Sequence, residues 1–189
     1  MFGRPSEQTI LDQFNLKKGW MFLDAGAHIG WYTLIMSRRV GPEGKVLVVE
    51  PNAANFAVLS RNIKDNKLSN VLAFQVALSD KDGYAQMVLA DSPTQHSIID
   101  NPEDAKLETV KTMRLDTLLE EAGVECLDFA KVDVEGAEMQ FLQGASKTLE
   151  HRPEMVIESE NIEVDEFLRN LNYEVRWVDE MNLHAKMKL

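Results

Sequence analysis

The sequence predicts one α/β domain: a mostly parallel, seven-stranded sheet with helices on both faces and a hairpin and loop inserted after the third strand. Three observations carry this. Short, wholly apolar runs such as Val46-Leu47-Val48-Val49 mark strands buried on both faces, as in a parallel sheet. These runs alternate with amphipathic segments over short links, the pattern of right-handed strand–helix–strand crossovers. The length of 189 residues is close to that of one domain.

Taken in order, Pro5-Ser6 opens a helix expected within residues 1–19, with Ile10, Leu11 and Phe14 at helical spacing. Trp20-Met21-Phe22-Leu23 is the first strand and ends at Asp24 and a Gly-rich turn. Residues 30–39 read as helix, broken by Gly41-Pro42-Glu43-Gly44. The second strand, Val46 to Val49, ends at Glu50, and Pro51-Asn52 starts a helix with Phe56, Leu59 and Ile63 on one face. Residues 71–77 form the third strand.

Residues 80–116 break the rhythm. Asp82-Gly83 is a strong turn signal between short strand-like segments, so a hairpin is expected there. A polar loop follows over residues 91–106, long enough to read as a substrate lid, and residues 108–115 return as strand. Asp116 is the expected N-cap of the next helix. Residues 127–132 form a strand ending at Asp133, and a helix through Ala137, Phe141 and Leu142 is interrupted at Gly144. Met155-Val156-Ile157 is another strand, and Val164, Phe167, Leu168 and Leu171 mark the last helix. Residues 173–177 and 183–189 close the sheet, the latter alternating as a strand with one covered face does.

Composition narrows the function. Lys and Arg total 20 against 31 Asp and Glu, a net charge of −11, which disfavours a polyanionic nucleic-acid partner. No apolar run approaches the ~20 residues of a membrane span, so no membrane partner is expected. The opening MFGRPSEQTILDQF lacks a signal-peptide hydrophobic region, and the expected location is cytoplasmic. Cys126 is the only cysteine; it permits no intrachain disulfide and reads as a buried structural thiol. Trp20, Trp31 and Trp177 read as core or rim, and His151 and His184 carry no expected chemistry.

Chemistry concentrates at strand ends. Asp24-Ala25-Gly26-Ala27-His28-Ile29-Gly30 joins a strand to a helix, where glycines admit a ligand to backbone amides and the helix N-terminus favours negative charge. Gly26 and Gly30 stand as G-x-x-x-G, with His28 where the dinucleotide fingerprint has its middle glycine, which lowers the nicotinamide-nucleotide reading. A smaller ligand with a carboxylate and an ammonium suits the turn, with Asp24 facing the ammonium. Glu50, about twenty residues beyond Gly30, can accept two hydrogen bonds from a ribose diol or stand as a solvated acid at a strand end.

FLDAGAHIGWYTL followed by VLVVEPNAANFAVLSRNIKDN resembles the first two motifs of class I S-adenosylmethionine-dependent methyltransferases. MRLDTLLEE and LDFAKVDVEGAEMQFLQGA resemble the FkbM family of those enzymes, KVDVEGAE at residues 131–138 being the most specific segment. The resemblance spans roughly residues 21–159 and departs at His28, where asparagine is expected. It implies a Rossmann-like fold, S-adenosylmethionine as cofactor, and O-methylation of a hydroxyl on a small molecule or sugar-like acceptor. By the same resemblance Asp24, Gly26, Ala27, His28 and Gly30 would hold the methionine part and Glu50 the ribose. Pro51 and Asn52 would border the adenine, and Ala77 and Asp80 would cover or bond its other side, unless Asp80 is only a turn residue.

Asp133 ends the fourth strand where open α/β sheets place ligands. It is a candidate to contact the cofactor ammonium, orient the acceptor or act as base, with Glu135 as a second candidate. Acids here also favour the following helix N-terminus by ~0.3–1 kcal/mol. Asp133 and Glu158 close neighbouring strands as a Mg²⁺ pair would, but two acids are a thin ligand set and no metal is expected. His96, in the polar loop, is the third candidate base. Two alternatives stand beside the methyltransferase: a nucleotide-dependent oxidoreductase, and a non-catalytic cofactor-binding protein of the same fold.

Overall fold

In a computed structural model of the chain, which describes residues 10–89 and 106–188, the first strand is β1 (Met21–Ala25). It leads through α1 (Trp31–Val40) to β2 (Lys45–Val49), then through α2 (Ala53–Asp65) to β3 (Val71–Phe74). Next come β4 (Ala77–Leu78), β5 (Gly83–Leu89), β6 (Lys106–Met113) and α3 (Leu115–Glu121). β7 (Phe129–Val132), α4 (Glu138–Gln143), α5 (Ser146–Glu150) and β8 (Glu154–Glu158) follow. The last elements are α6 (Ile162–Asn170), β9 (Tyr173–Trp177) and β10 (Asn182–Met187).

Seven strands form one sheet in the order β3-β2-β1-β7-β8-β10-β9. The first five are parallel, and β10 runs antiparallel to both β8 and β9. The strand period of two sorts the apolar runs into two cores. Leu23, Ala25, Leu47, Val49, Ala130 and Val132 face one, and Phe22, Val46, Val48 and Phe129 face the other. Among the described residues no helix is long and apolar enough to cross a membrane.

Of the expected N-terminal helix, Ile10 and Leu11 are helical, and the chain turns at residues 12–13. Ile10, Leu11 and Phe14 are buried in the second core, where the Phe14 ring lies 5.2 Å from that of Phe129 and 5.8 Å from Tyr32. Asn52 caps α2 by accepting from the Asn55 amide at 2.9 Å, as the Pro-Asn signal suggests.

Several local expectations are corrected. The third strand stops at Phe74, because its partner β2 ends at Val49; Ala77 and Leu78 instead pair in parallel with Thr112 and Met113. The Asp82-Gly83 turn closes no hairpin. β4 and β5 both flank β6, so the antiparallel pair is β5 with β6; of the expected lid, Lys106 is the first residue of β6 and residues 91–105 lie outside the described residues. The Asp82 carboxylate instead accepts from the Arg114 amide at 2.8 Å and the Thr117 hydroxyl at 3.0 Å.

Asp116 is not the N-cap of α3: Arg114 holds that position, and Asp116 lies inside the first turn. Its carboxylate reaches across to α5, accepting from the amides of Lys147 and Thr148 at 3.1 and 2.9 Å and from the Thr148 hydroxyl at 2.8 Å. Those bonds hold its pKa below the usual carboxylate range against the opposing effect of burial. Cys126 is exposed, not buried. The break at Gly144 divides α4 from α5, and a Cβ there would lie 2.0 Å from the Ser79 carbonyl oxygen.

Candidate active site

Parallel register brings the ends of β1, β2 and β7 to one edge, with Ala25 opposite both Val49 and Val132. Asp24, Glu50 and Asp133, distant in sequence, therefore meet there. The Gly turn is tied down over this edge: the amides of Gly26 and Ala27 donate to the Val49 carbonyl at 2.9 and 3.0 Å. Gly26 has φ of 75°, and a Cβ on it would lie 1.7 Å from the Asp133 carbonyl oxygen. Only glycine lets the β1 turn and the end of β7 approach so closely.

His28 also has positive φ, 52°, and its amide donates to Glu50 Oε2 at 2.8 Å. Asparagine and histidine both visit this left-handed region more readily than most residues. The departure from the expected asparagine thus preserves the backbone geometry.

Glu50 is buried, and its other oxygen, Oε1, accepts from the Asn52 amide at 2.9 Å. Burial raises its pKa, and the two amide bonds oppose that rise. Glu50 is therefore not a solvated strand-end acid: it orients the turn, while its remaining lone pairs can accept from a diol. Asn52, besides capping α2, donates to Glu108 Oε2 at 3.1 Å. Pro51 is half-buried beside it. Ala77 is buried against Met87 and Val110 in the small sheet. Asp80 is exposed and accepts from the Ser79 hydroxyl at 3.0 Å.

Asp24 is wholly buried, and Oδ2 accepts from the Thr33 hydroxyl of α1 at 2.6 Å. Its Oδ1 is buried without a hydrogen-bond partner. Burial raises the pKa of Asp24, with Lys131 and the Thr33 bond opposing. The composition of β7 explains that neighbour. Lys131 stands opposite Asp24 in a strand otherwise apolar, and its Nζ lies 2.9 Å from Asp133 Oδ2. The Tyr32 ring centroid is 5.1 Å from the same Nζ. Burial disfavours the charged lysine, yet Asp133 and then Asp24 hold its pKa above the usual lysine range.

Beyond Asp133 the chain turns through Glu135 at φ 50° and Gly136 at φ 92°. Glu135 reaches solvent, but withdrawal of its carboxylate from water, then the charges of Asp133, Glu158 and Glu138, push its pKa up to about 7, with Lys131 opposing. Glu138 is buried and accepts from the Gly136 amide at 2.8 Å and the Ser159 hydroxyl at 3.4 Å. Among the described residues no group of three or more His, Cys, Asp or Glu side chains is placed to hold a metal ion. His96 lies outside the described residues.

The structure thus brings together Asp24, Gly26, Ala27, His28, Gly30, Glu50 and Asp133, with Glu135 adjoining. Sequence inspection missed Lys131, Thr33, Tyr32 and Glu138. The first had a signal: a single ammonium in a strand buried on every residue.

The FkbM methyltransferase domain model matches residues 24–175. The methyltransferase sdnD of Sordaria araneosa is 33% identical over 167 residues, covering 72% of this chain and 64% of that protein. A hexuronic acid methyltransferase of Haloferax volcanii, AglP, is 28% identical over 135 residues, covering 71% of this chain and 54% of its own. The chain spans between 54% and 64% of the length of the curated relatives it matches.

Among solved structures, the FkbM methyltransferase of Methylobacillus flagellatus superposes with a TM-score of 0.66 at 17% identity, over 91% of this chain and 45% of that one. The fibrillarin of Aeropyrum pernix, crystallised with natively bound S-adenosylmethionine, gives 0.59 at 14%, over 95% and 72%. These two similarities establish the fold. The match over most of the chain, with the site residues inside it, decides the rest: the chain belongs to the FkbM methyltransferase family.

Proposed function

We propose that this chain transfers a methyl group from S-adenosylmethionine to a hydroxyl oxygen of a small molecule or sugar-like acceptor. The observation that carries the cofactor is the buried, unpartnered Oδ1 of Asp24 beneath the Gly turn, one strand from Glu50. A buried carboxylate oxygen left unpaired is costly and fits a cationic ligand group. Asp24 would meet the ammonium of the methionine part, and the turn at Gly26, Ala27, His28 and Gly30 would hold its carboxylate. α1 starts after Gly30 with no side-chain cap, which leaves amides for an anion. Glu50 would accept from the ribose hydroxyls, with Pro51, Asn52, Ala77 and Asp80 toward the adenine.

When bound, the cofactor supplies a methyl group already activated on a sulfonium. The protein's share is to orient the acceptor oxygen, exclude water and take its proton. Asp133, held by Lys131, suits orientation of the acceptor. Glu135, exposed and with its pKa pushed up to about 7, suits acceptance of the proton. His96 remains the third candidate base. The hexuronic acid relative supports a sugar-like acceptor. The negative overall charge disfavours nucleic acid.

Calorimetric titration with S-adenosylhomocysteine tests the cofactor, and mass spectrometry of sugars, hexuronic acids and polyols incubated with S-adenosylmethionine tests the transfer. Glu50→Gln, whose amide cannot accept from both the His28 and Asn52 amides, should weaken binding at least ~10-fold through lost charged hydrogen bonds. Unchanged affinity would remove Glu50 from the ribose site. Binding without methylation of any acceptor would favour a non-catalytic cofactor-binding protein.

A further inference from the structure

We propose that Lys131 is a positioning residue of this site, its buried ammonium holding the Asp24 and Asp133 carboxylates as the seat for the cofactor's ammonium group. The inference rests on the cofactor reading above. Three placements support it. Lys131 is directly opposite Asp24 in the β1–β7 pairing, and it lies two residues before Asp133, on the same face of the strand. Its Nζ is 2.9 Å from Asp133 Oδ2, with its side chain only 7% exposed. Asp24, committed to Thr33 through one oxygen, keeps the other unpartnered.

Charge counting follows from those placements. Two carboxylates and one ammonium leave a net charge of −1 on the sheet face that also carries Phe22 and Phe129. One added ammonium neutralises it and satisfies the open oxygen. Without Lys131 the two carboxylates would repel, and one would take up a proton instead. The seat would then be occupied by that proton at lower pH and open to the ligand only at higher pH. Among the described residues the groups around it are Asp24 from β1, Lys131 and Asp133 from β7 with Glu135 beyond, Glu138 from α4, and Thr33 and Tyr32 from α1. A merely packing lysine stem would be replaced by methionine with no new pH dependence.

The test uses Lys131→Met and titration with S-adenosylhomocysteine from pH 5.5 to 8.5. Wild type sets the baseline, including the slope that Glu135 contributes, and the variant is read as the ratio of its affinity to that of wild type at each pH. The variant should weaken progressively as pH falls, because a proton on the seat competes with the ligand's ammonium, by about tenfold for each pH unit below the pKa of the seat. Uniform weakening at every pH, or wild-type affinity at every pH, would overturn the proposal. Should Lys131→Met not fold, the ligand-free protein gives the second arm: the carboxyl carbon of Asp24 is titrated by NMR in wild type and in Asp133→Asn. Removing the competing carboxylate frees Lys131 for Asp24, so the Asp24 titration should move to lower pH. An unmoved titration would refute the coupling. Failure of wild type itself to bind S-adenosylhomocysteine would strike the cofactor reading, while the ligand-free titration would still decide the charge coupling.

Discussion

Gly26→Ala should destabilise the protein by far more than an ordinary glycine substitution, because two independent penalties meet at one residue. The backbone φ is 75°, a left-handed conformation that costs an alanine about 1–2 kcal/mol. The new Cβ would also lie 1.7 Å from the Asp133 carbonyl oxygen, against at least 3.0 Å in real contacts. Main chain must therefore move by more than an ångström, since the obstructing atom belongs to no flexible side chain. Overpacking of that kind costs a further ~1–3 kcal/mol, giving a total of about 2–5 kcal/mol. In a domain of this size each kcal/mol lowers Tm by ~2–4 °C, so the fall should be of order 10 °C. Gly19→Ala is the control: its φ is 84°, but nothing lies within 4 Å of its Cβ, so only the backbone penalty applies. Thermal melts of both variants, with and without S-adenosylhomocysteine, provide the measurement. A Gly26→Ala melt no lower than that of Gly19→Ala would refute the close-approach argument. Retention of the full ligand-induced shift in Gly26→Ala would refute the claim that this contact shapes the cofactor seat.

Three further outcomes follow from two carboxylates. Asp116→Ala removes the acceptor for two α5 amides and the Thr148 hydroxyl, and should cost about 2–3 kcal/mol at neutral pH in chemical denaturation. The folded pKa of Asp116 is depressed, so this stability exists above its ordinary value of 3.8 and is lost as pH falls below it; wild type and variant should converge in acid. Glu135 has the opposite sign. Its folded pKa of about 7 exceeds the ordinary 4.5, so stability present below pH 4.5 is lost as pH rises through 7. Glu135→Gln should keep that stability, and melts at pH 5 and 8 should show the variant gaining on wild type at the higher pH. As the base, Glu135 would also make methyl transfer rise with pH through about 7, and Glu135→Gln should lower the rate by ~10²-fold or more once an acceptor is in hand. A rate unaffected by the substitution would return the proton to Asp133 or His96.

Much of this protein is written locally, and that part was legible in the sequence. Val46 to Val49 reads as a doubly buried strand because apolar side chains on both faces of a strand need cover on both faces. Pro51-Asn52 reads as a helix start because an N-cap acts within three residues, and the break at Gly144 was visible for the same local reason. The Gly turn and Glu50 were likewise recognisable, since each ends a strand at a fixed distance along the chain. What tertiary structure alone decided is which distant groups share one volume. Asp116 serves α5, roughly thirty residues away, and not the helix it begins. Ala77 and Leu78 leave the main sheet for β6 because β2 ends before it can pair with them. Lys131 reads in sequence as an anomaly in an apolar strand, and becomes a candidate site residue only when the β1–β7 register sets it opposite Asp24. Whether Gly26 serves a ligand or its neighbour could not be read from the turn, because the contact that requires it comes from Asp133. Periodicity and capping act over a few residues and survive in a one-dimensional string, whereas burial, charge pairing and close approach are properties of the folded volume.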